Sequence, residues 1–162
     1  MNRLLIIGVM GGGSAAAEDM EAAYVLGKLI AEQGWILLNG GRNTGIMEAS
    51  ARGATEKGGM TVGILPDENY YQTSEYIKIP ILTGMGNARN CINVLSSNVV
   101  VACDGGTGTI SEIALALKCR KPVILLNFDI GKLFEPYAKK GALFFETSPG
   151  EVIVRIKEIM RV

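Results

Sequence analysis

Three short glycine-rich stretches carry most of the chemical potential of this chain. They read Met10-Gly11-Gly12-Gly13-Ser14, Asn39-Gly40-Gly41-Arg42-Asn43-Thr44-Gly45 and Asp104-Gly105-Gly106-Thr107-Gly108-Thr109. Each follows an apolar run and precedes a helical pattern. Glycine lets the main chain approach a ligand closely, and a helix N-terminus offers N–H groups without internal partners, so the arrangement suits a phosphate. One such turn is weak evidence, because glycine-rich βα turns are common; the same turn after three strands is stronger. Charged side chains stand beside these loops. Arg89, in Gly86-Asn87-Ala88-Arg89-Asn90, opens a helix against its dipole, which favours an anion partner. Arg42 is a second candidate phosphate ligand. Asp104 reads as a loop cap rather than a metal ligand.

Glu112 leaves two readings open. Thr109-x-x-Glu112 fits a capping box, in which the carboxylate reaches back to the Thr109 N–H. It also falls beside the third glycine loop, where a carboxylate must address some part of a ligand other than its phosphate, such as ribose hydroxyls or a developing cation.

Composition removes several classes of function. The 162 residues contain no histidine, which excludes Ser-His-Asp and Cys-His catalysis and leaves acid–base work to carboxylates, Lys, Tyr or water. Cys91, Cys103 and Cys119 form no C-x-x-C pair, so we expect no metal site and read them as small buried residues in a reducing compartment, the cytoplasm. Lys+Arg and Asp+Glu stand at 16 each, and no global field draws the chain to nucleic acid or an anionic membrane. There is no G-x-x-x-x-G-K-[ST], so a P-loop ATPase is excluded. Gly11-x-Gly13-x-x-Ala16 meets a loose dinucleotide fingerprint, but Asn39 and glycines stand where a ribose-binding acid belongs.

These residues need a scaffold, and the pattern supplies one. Apolar runs predict strands at Leu4–Val9, Trp35–Asn39, Thr61–Leu65, Asn98–Cys103 and Pro122–Asn127, with weaker ones near Ile77–Leu82 and Ala142–Phe145. Helices fit between them: Ala16–Ile30, with Gly34 at the C-cap, Met47–Lys57, Ala88–Ser97, Ile110–Cys119, roughly Asp129–Lys139, and Glu151–Met160. Pro66–Tyr76 reads as an exposed loop rather than a lid. The expected fold is α/β: a single doubly wound, mostly parallel sheet, Rossmann-like, in one domain over residues 1–162, with the glycine loops on its carboxyl edge. Met1-Asn2-Arg3, Leu4–Met10 and Ala15–Ala17 mimic a short signal peptide, yet read better as a first buried strand, a glycine loop and a helix start. The helix after Glu112 is apolar nearly all round, which predicts burial against a second subunit.

The blocks GGRNTGIMEASARGATEKGGMTVGILP, GMGNARNCINVLSSN and GGTGTISEIALALKCRKPVILL together resemble the superfamily often labelled lysine decarboxylase. It contains the LOG phosphoribohydrolases and the molybdenum cofactor carrier proteins, and the resemblance spans roughly residues 3 to 127. It implies a Rossmann-like fold, a homodimer or larger homo-oligomer, and a small phosphorylated ligand. In the hydrolases the signature is P-G-G-x-G-T-x-x-E. Gly105, Gly106, Gly108, Thr109 and Glu112 match it here, with Asp104 in place of the proline. Arg89 matches the catalytic arginine, but Asn90 follows where the hydrolases usually have Lys. The Arg-Asn pair looks more like the carrier branch. The expected function is therefore carriage of a phosphate-bearing nucleotide or pterin-nucleotide, the molybdenum cofactor or a nucleoside monophosphate. The alternative is hydrolysis of a nucleoside 5′-monophosphate to base and ribose 5-phosphate, with Arg89 and Glu112 as catalytic residues. A weaker alternative is a DNA-processing protein related to DprA. A pyridoxal-phosphate decarboxylase needs a Schiff-base lysine, and no glycine loop has one.

Overall fold

The computed structural model describes residues 4–162; Met1, Asn2 and Arg3, the charged start of the signal-peptide mimic, lie outside them. The chain alternates strands and helices: β1 Ile6–Met10, α1 Ala17–Glu32, β2 Ile36–Asn39, α2 Gly45–Glu56, β3 Met60–Leu65, β4 Ile79–Leu82, a 3-10 turn Gly86–Arg89, α3 Asn90–Ser96, β5 Val99–Ala102, α4 Thr107–Lys118, β6 Val123–Leu126, α5 Glu135–Lys139, β7 Leu143–Glu146 and α6 Pro149–Met160. The strands form one sheet in the order β4-β3-β2-β1-β5-β6-β7. Every strand pairing in it is parallel. The order reverses between β1 and β5, so the loops after these strands flank the point where α/β sheets take ligands.

The unbroken apolar runs have a period-2 explanation. Ile7 and Val9, Val99 and Val101, and Ile124 and Leu126 face one core, shared with α1, α2 and α6. Met10, Val100, Ala102, Val123 and Leu125 face the other, under α3 and α4. Both faces of the central strands are covered, so neither parity can be polar. On the first face α1 and α2 meet almost backbone to backbone. A Cβ at Gly27 would run into the Ser50 carbonyl, and one at Gly53 into that of Tyr24. α1 then ends where Gly34 takes φ +71, with the Gly34 N–H on Ala31 O (2.9 Å) and the Trp35 N–H on Ile30 O (3.3 Å), a Schellman turn into β2.

One expectation needs correction. The helix expected over Asp129–Lys139 shrinks to α5. Asn127 and Gly131 both take positive φ, and the Asp129 carboxylate accepts from the Gly131 N–H at 2.7 Å, which fixes a turn instead. The outward side of α4 is also less bare than its composition suggests. Ile113, Ala116 and Leu117 are buried in its own core, Leu115 is half-buried and Ala114 exposed. The uncovered apolar surface lies elsewhere. Met60, Ile79 and Ile81 share a sheet face with Val62 and Ile64, and no helix covers them; Met85 and Leu95 are exposed as well.

Candidate functional site

The carboxyl edge of the sheet holds a cleft of about 300 Å³ with floor and walls from all three glycine loops. Gly11, Gly12 and Gly13 line it from the first loop and Gly40 from the second. Gly106, Thr107, Gly108 and Thr109 line it from the third, and Arg89 and Glu112 complete the expected set. The loops are tied to each other by main chain. The Gly12 N–H donates to Asp104 O at 2.9 Å, and Gly12 O accepts from the Ile46 N–H at 3.0 Å. The Asp104 carboxylate makes no hydrogen bond among the described residues, so the residue holds its loop by its carbonyl rather than as a side-chain cap.

The second loop is organised by Asn39, which is fully buried. Its Oδ1 accepts from the Gly41 N–H (2.8 Å), while Nδ2 donates to Met47 O (2.9 Å) and Ser50 Oγ (3.1 Å). With both ends of the amide engaged, Asn39 has nothing left for a ribose. Gly40 makes room for Arg89: a Cβ there would stand 2.6 Å from Nη2.

Five expected ligands do not line the cleft: Ser14, Gly41, Arg42, Gly45 and Gly105. Gly41 (φ +77) packs on Leu65 and Gly63, and Gly45 (φ +55) lies against the Gly12 carbonyl. A Cβ at Gly105 would strike Thr109 Oγ1. These glycines shape the loops behind the cleft. Arg42 is committed elsewhere, to Asp67 at 2.6 Å and to Tyr71 O at 3.2 Å. Together with the Arg42–Thr73 bridge, it pins the Pro66–Tyr76 loop to the second glycine loop.

The donors come from α4. Its N-cap is Gly106, with no side chain to close the first turn and no acid within it. The N–H groups of Thr107, Gly108 and Thr109 have no acceptor among the described residues. Cβ positions at Gly106 and Gly108 meet nothing within 4 Å. α1 and α2, by contrast, begin with Glu18 and Asp19, and with Glu48. Of the three helix starts at this edge, α4 alone has no acid in its first turn.

Helix α4 starting at Thr107 overturns the capping-box reading of Glu112. The carboxylate falls on the second turn and points inward to α3, where its Oε1 accepts from Asn93 Nδ2 at 2.8 Å. Arg89 closes the 3-10 turn, its side chain 12% exposed. Its Nη1 donates to Asn90 Oδ1 (3.0 Å) and Nη2 weakly to Gly40 O (3.4 Å), while Nε is buried without a partner. Glu112 Oε1 stands 3.9 Å from Nη1, an ion pair too long for a hydrogen bond. Burial pushes the Glu112 carboxyl above its ordinary range, against the pull of Asn93 and Arg89; burial also lowers the Arg89 guanidinium, against the pull of Glu112. Asn90 reaches on to Ser111 Oγ (3.2 Å), which donates to Gly108 O (2.6 Å), so one chain of contacts fixes Arg89 relative to the start of α4.

The sequence reading missed Met10, Met47 and Asn87 as lining residues. Met47, half-buried with its sulfur beside Gly40, gives the cleft an apolar side, a soft wall suited to a flat ring, whereas the Met10 side chain turns into the core beneath. Their signal was faint, because each directly borders a glycine loop or a helix start where an apolar residue passes for core.

A family model described as the SLOG cluster4 family matches residues 4–153. The chain belongs to this family. Among solved structures it is similar to the molybdenum cofactor binding protein of the phototrophic bacterium Rippkaea orientalis, at 51% identity, 98% coverage of both chains and a TM-score of 0.92. It is similar too to the molybdenum cofactor carrier protein of Chlamydomonas reinhardtii, at 42% identity over 99% of this chain and 100% of that one, TM-score 0.91. A cytokinin riboside 5′-monophosphate phosphoribohydrolase of Mycobacterium tuberculosis is 33% identical over 60% of this chain and 53% of its own length. The family member described here is therefore Rossmann-like and stands with the carrier branch.

Proposed function

We propose that this protein holds a phosphate-bearing pterin, the molybdenum cofactor as cargo, by its phosphate and its ring. The observation that carries the reading is Arg89: a nearly buried guanidinium with an unpaired Nε that lines the same cleft as Gly106 and Gly108. An arginine so placed calls for an anion. The free N–H groups of α4 supply the rest of a phosphate seat, and Met47 a wall for the ring. The lining contains no cysteine or histidine, so the protein grips the organic part of the cargo and leaves the metal to its own sulfur ligands. The free cysteines fit residence in the cytoplasm.

A second reading keeps one specific support: Glu112 lines the same cleft as Arg89, where it could steady a ribose as its bond to the base breaks. Native mass spectrometry of freshly purified protein, followed by incubation with AMP, separates the two. A co-purifying pterin with no release of adenine is the expected result. Adenine release at catalytic rates moves the assignment to hydrolysis, and neither outcome in any preparation sinks both.

A further inference from the structure

Among the described residues, Arg89 and Glu112 are the only charged ones lining the cleft, and they oppose each other. An incoming anion therefore meets one guanidinium that already balances one carboxylate. Among the described residues, the surroundings supply no second cation. Asn93 faces Glu112 from α3 and Arg89 faces it from the 3-10 turn. Behind Arg89, Arg42 and Asp67 neutralise each other at 2.6 Å. The strands beneath α4 present Val100, Ala102, Val123 and Leu125, all apolar. Once an anion takes Arg89, a buried carboxylate is left beside a second negative charge without a counter-ion. Such a group takes a proton.

We propose that the cleft captures its anion together with a proton from solvent, which Glu112 takes up on its carboxylate, and that Asn93 is the positioning residue for both forms. Asn93 is fully buried, and only half of its amide is in use. Nδ2 donates to the carboxylate, and Oδ1 has no partner. The same amide, turned end for end, accepts from a neutral carboxyl, which a Lys or Arg in its place could not do. The proposal rests on the cleft being an anion site. It resolves the conflict between a carboxylate and a phosphate in one small cavity: the loaded site holds a neutral acid.

The loaded form then binds more protons than the empty one. Affinity is highest in acid and falls as pH rises through the window between the Glu112 pKa of the empty site, already raised by burial, and the higher one that the anion imposes. Within that window one linked proton changes affinity by up to about tenfold per pH unit. Sulfate is the probe, because it does not titrate from pH 5 to 9. Calorimetry in buffers of different ionisation enthalpy should show proton uptake and weakening with rising pH. Glu112→Gln should remove both the uptake and the slope. Asn93→Leu, which deletes the hydrogen bond favouring the ionised form, should move the window upward. Difference infrared spectra on adding sulfate should show a protonated carboxyl band that Glu112→Gln lacks. A flat wild-type profile with sulfate bound overturns this inference and leaves the anion site standing, as does a slope that survives in Glu112→Gln. Absence of sulfate binding at every pH overturns both.

Discussion

At Gly106 the main chain is extended (φ −87) and a Cβ would project into open space; at Gly41 φ is +77, and a Cβ would press on Leu65 and Gly63. The same substitution therefore has opposite consequences at two glycines that look alike in sequence. Gly106→Val should leave the melting temperature nearly unchanged and abolish anion binding, because its methyls occupy the seat over α4. Gly41→Val should destabilise the fold by about 1–3 kcal/mol through backbone strain, since β-branched residues disfavour positive φ. Thermal melts and calorimetry on the two variants check this; a Gly106→Val protein with undiminished affinity would remove the phosphate seat. The pairing of Arg89 with the third loop was legible, because an arginine at a helix start and a run of glycines each signal an anion on their own. Arg42 carried the same signal, but in the structure it pairs with Asp67, in a loop whose path no local pattern reveals. Asn93 gave no sign at all. It sits in Cys91-Ile92-Asn93-Val94 as one polar residue on a short helix, and only the packing of α3 on α4 brings it to Glu112.

Helix ends were harder to place than helices. The Thr109-x-x-Glu112 spacing imitates a capping box, but Gly106 already starts the helix, so the box has no terminus to close. A true capping box forms at α6, where Ser148 Oγ accepts from the Glu151 N–H and the Glu151 carboxylate accepts from the N–H groups of Thr147 and Ser148. These bonds hold the Glu151 carboxyl below its ordinary range. Ser148→Ala should cost about 1 kcal/mol. For Glu151 the sign is that of a depressed acid: its stabilising effect is present above the unfolded pKa and disappears as pH falls through the folded one. The melting temperatures of wild type and Glu151→Gln should thus differ at neutral pH and converge in acid. A constant gap across that range would assign the effect to shape rather than charge. The strands were legible down to the weak β4 and β7, since central strands covered on both faces leave unbroken apolar runs. The loop from Asn127 to Phe134 was not, because an Asx turn and a glycine at positive φ interrupt a pattern that otherwise has helical spacing.

The sheet as a whole is covered unevenly. α1, α2 and α6 cover one face, whereas on the other the β3–β4 wing leaves Met60, Ile79 and Ile81 in solvent, 42–44% exposed, with Met85 and Leu95 also bare. We propose that a second copy of the chain covers this wing about a two-fold axis, in keeping with a family resemblance that implies homo-oligomers. This wing is a second candidate surface beside α4, part of which α3 shields. Light scattering should give at least twice the mass of one chain, and Ile81→Asp should reduce it to the monomer without unfolding it. A monomeric wild type at micromolar concentration would overturn the interface.

The free donors over Gly106 belong to the main chain, and that has a consequence for inheritance. A mutation can delete a side-chain ligand in one step, but no substitution short of proline removes an N–H, and bulk at Gly106 or Gly108 is the main route by which change could silence the seat. Drift can therefore rewrite Met47 and Asn87, and with them the shape of the cargo, while the grip on a phosphate is passed on unaltered. A lineage built this way can change what it carries without first losing the ability to carry.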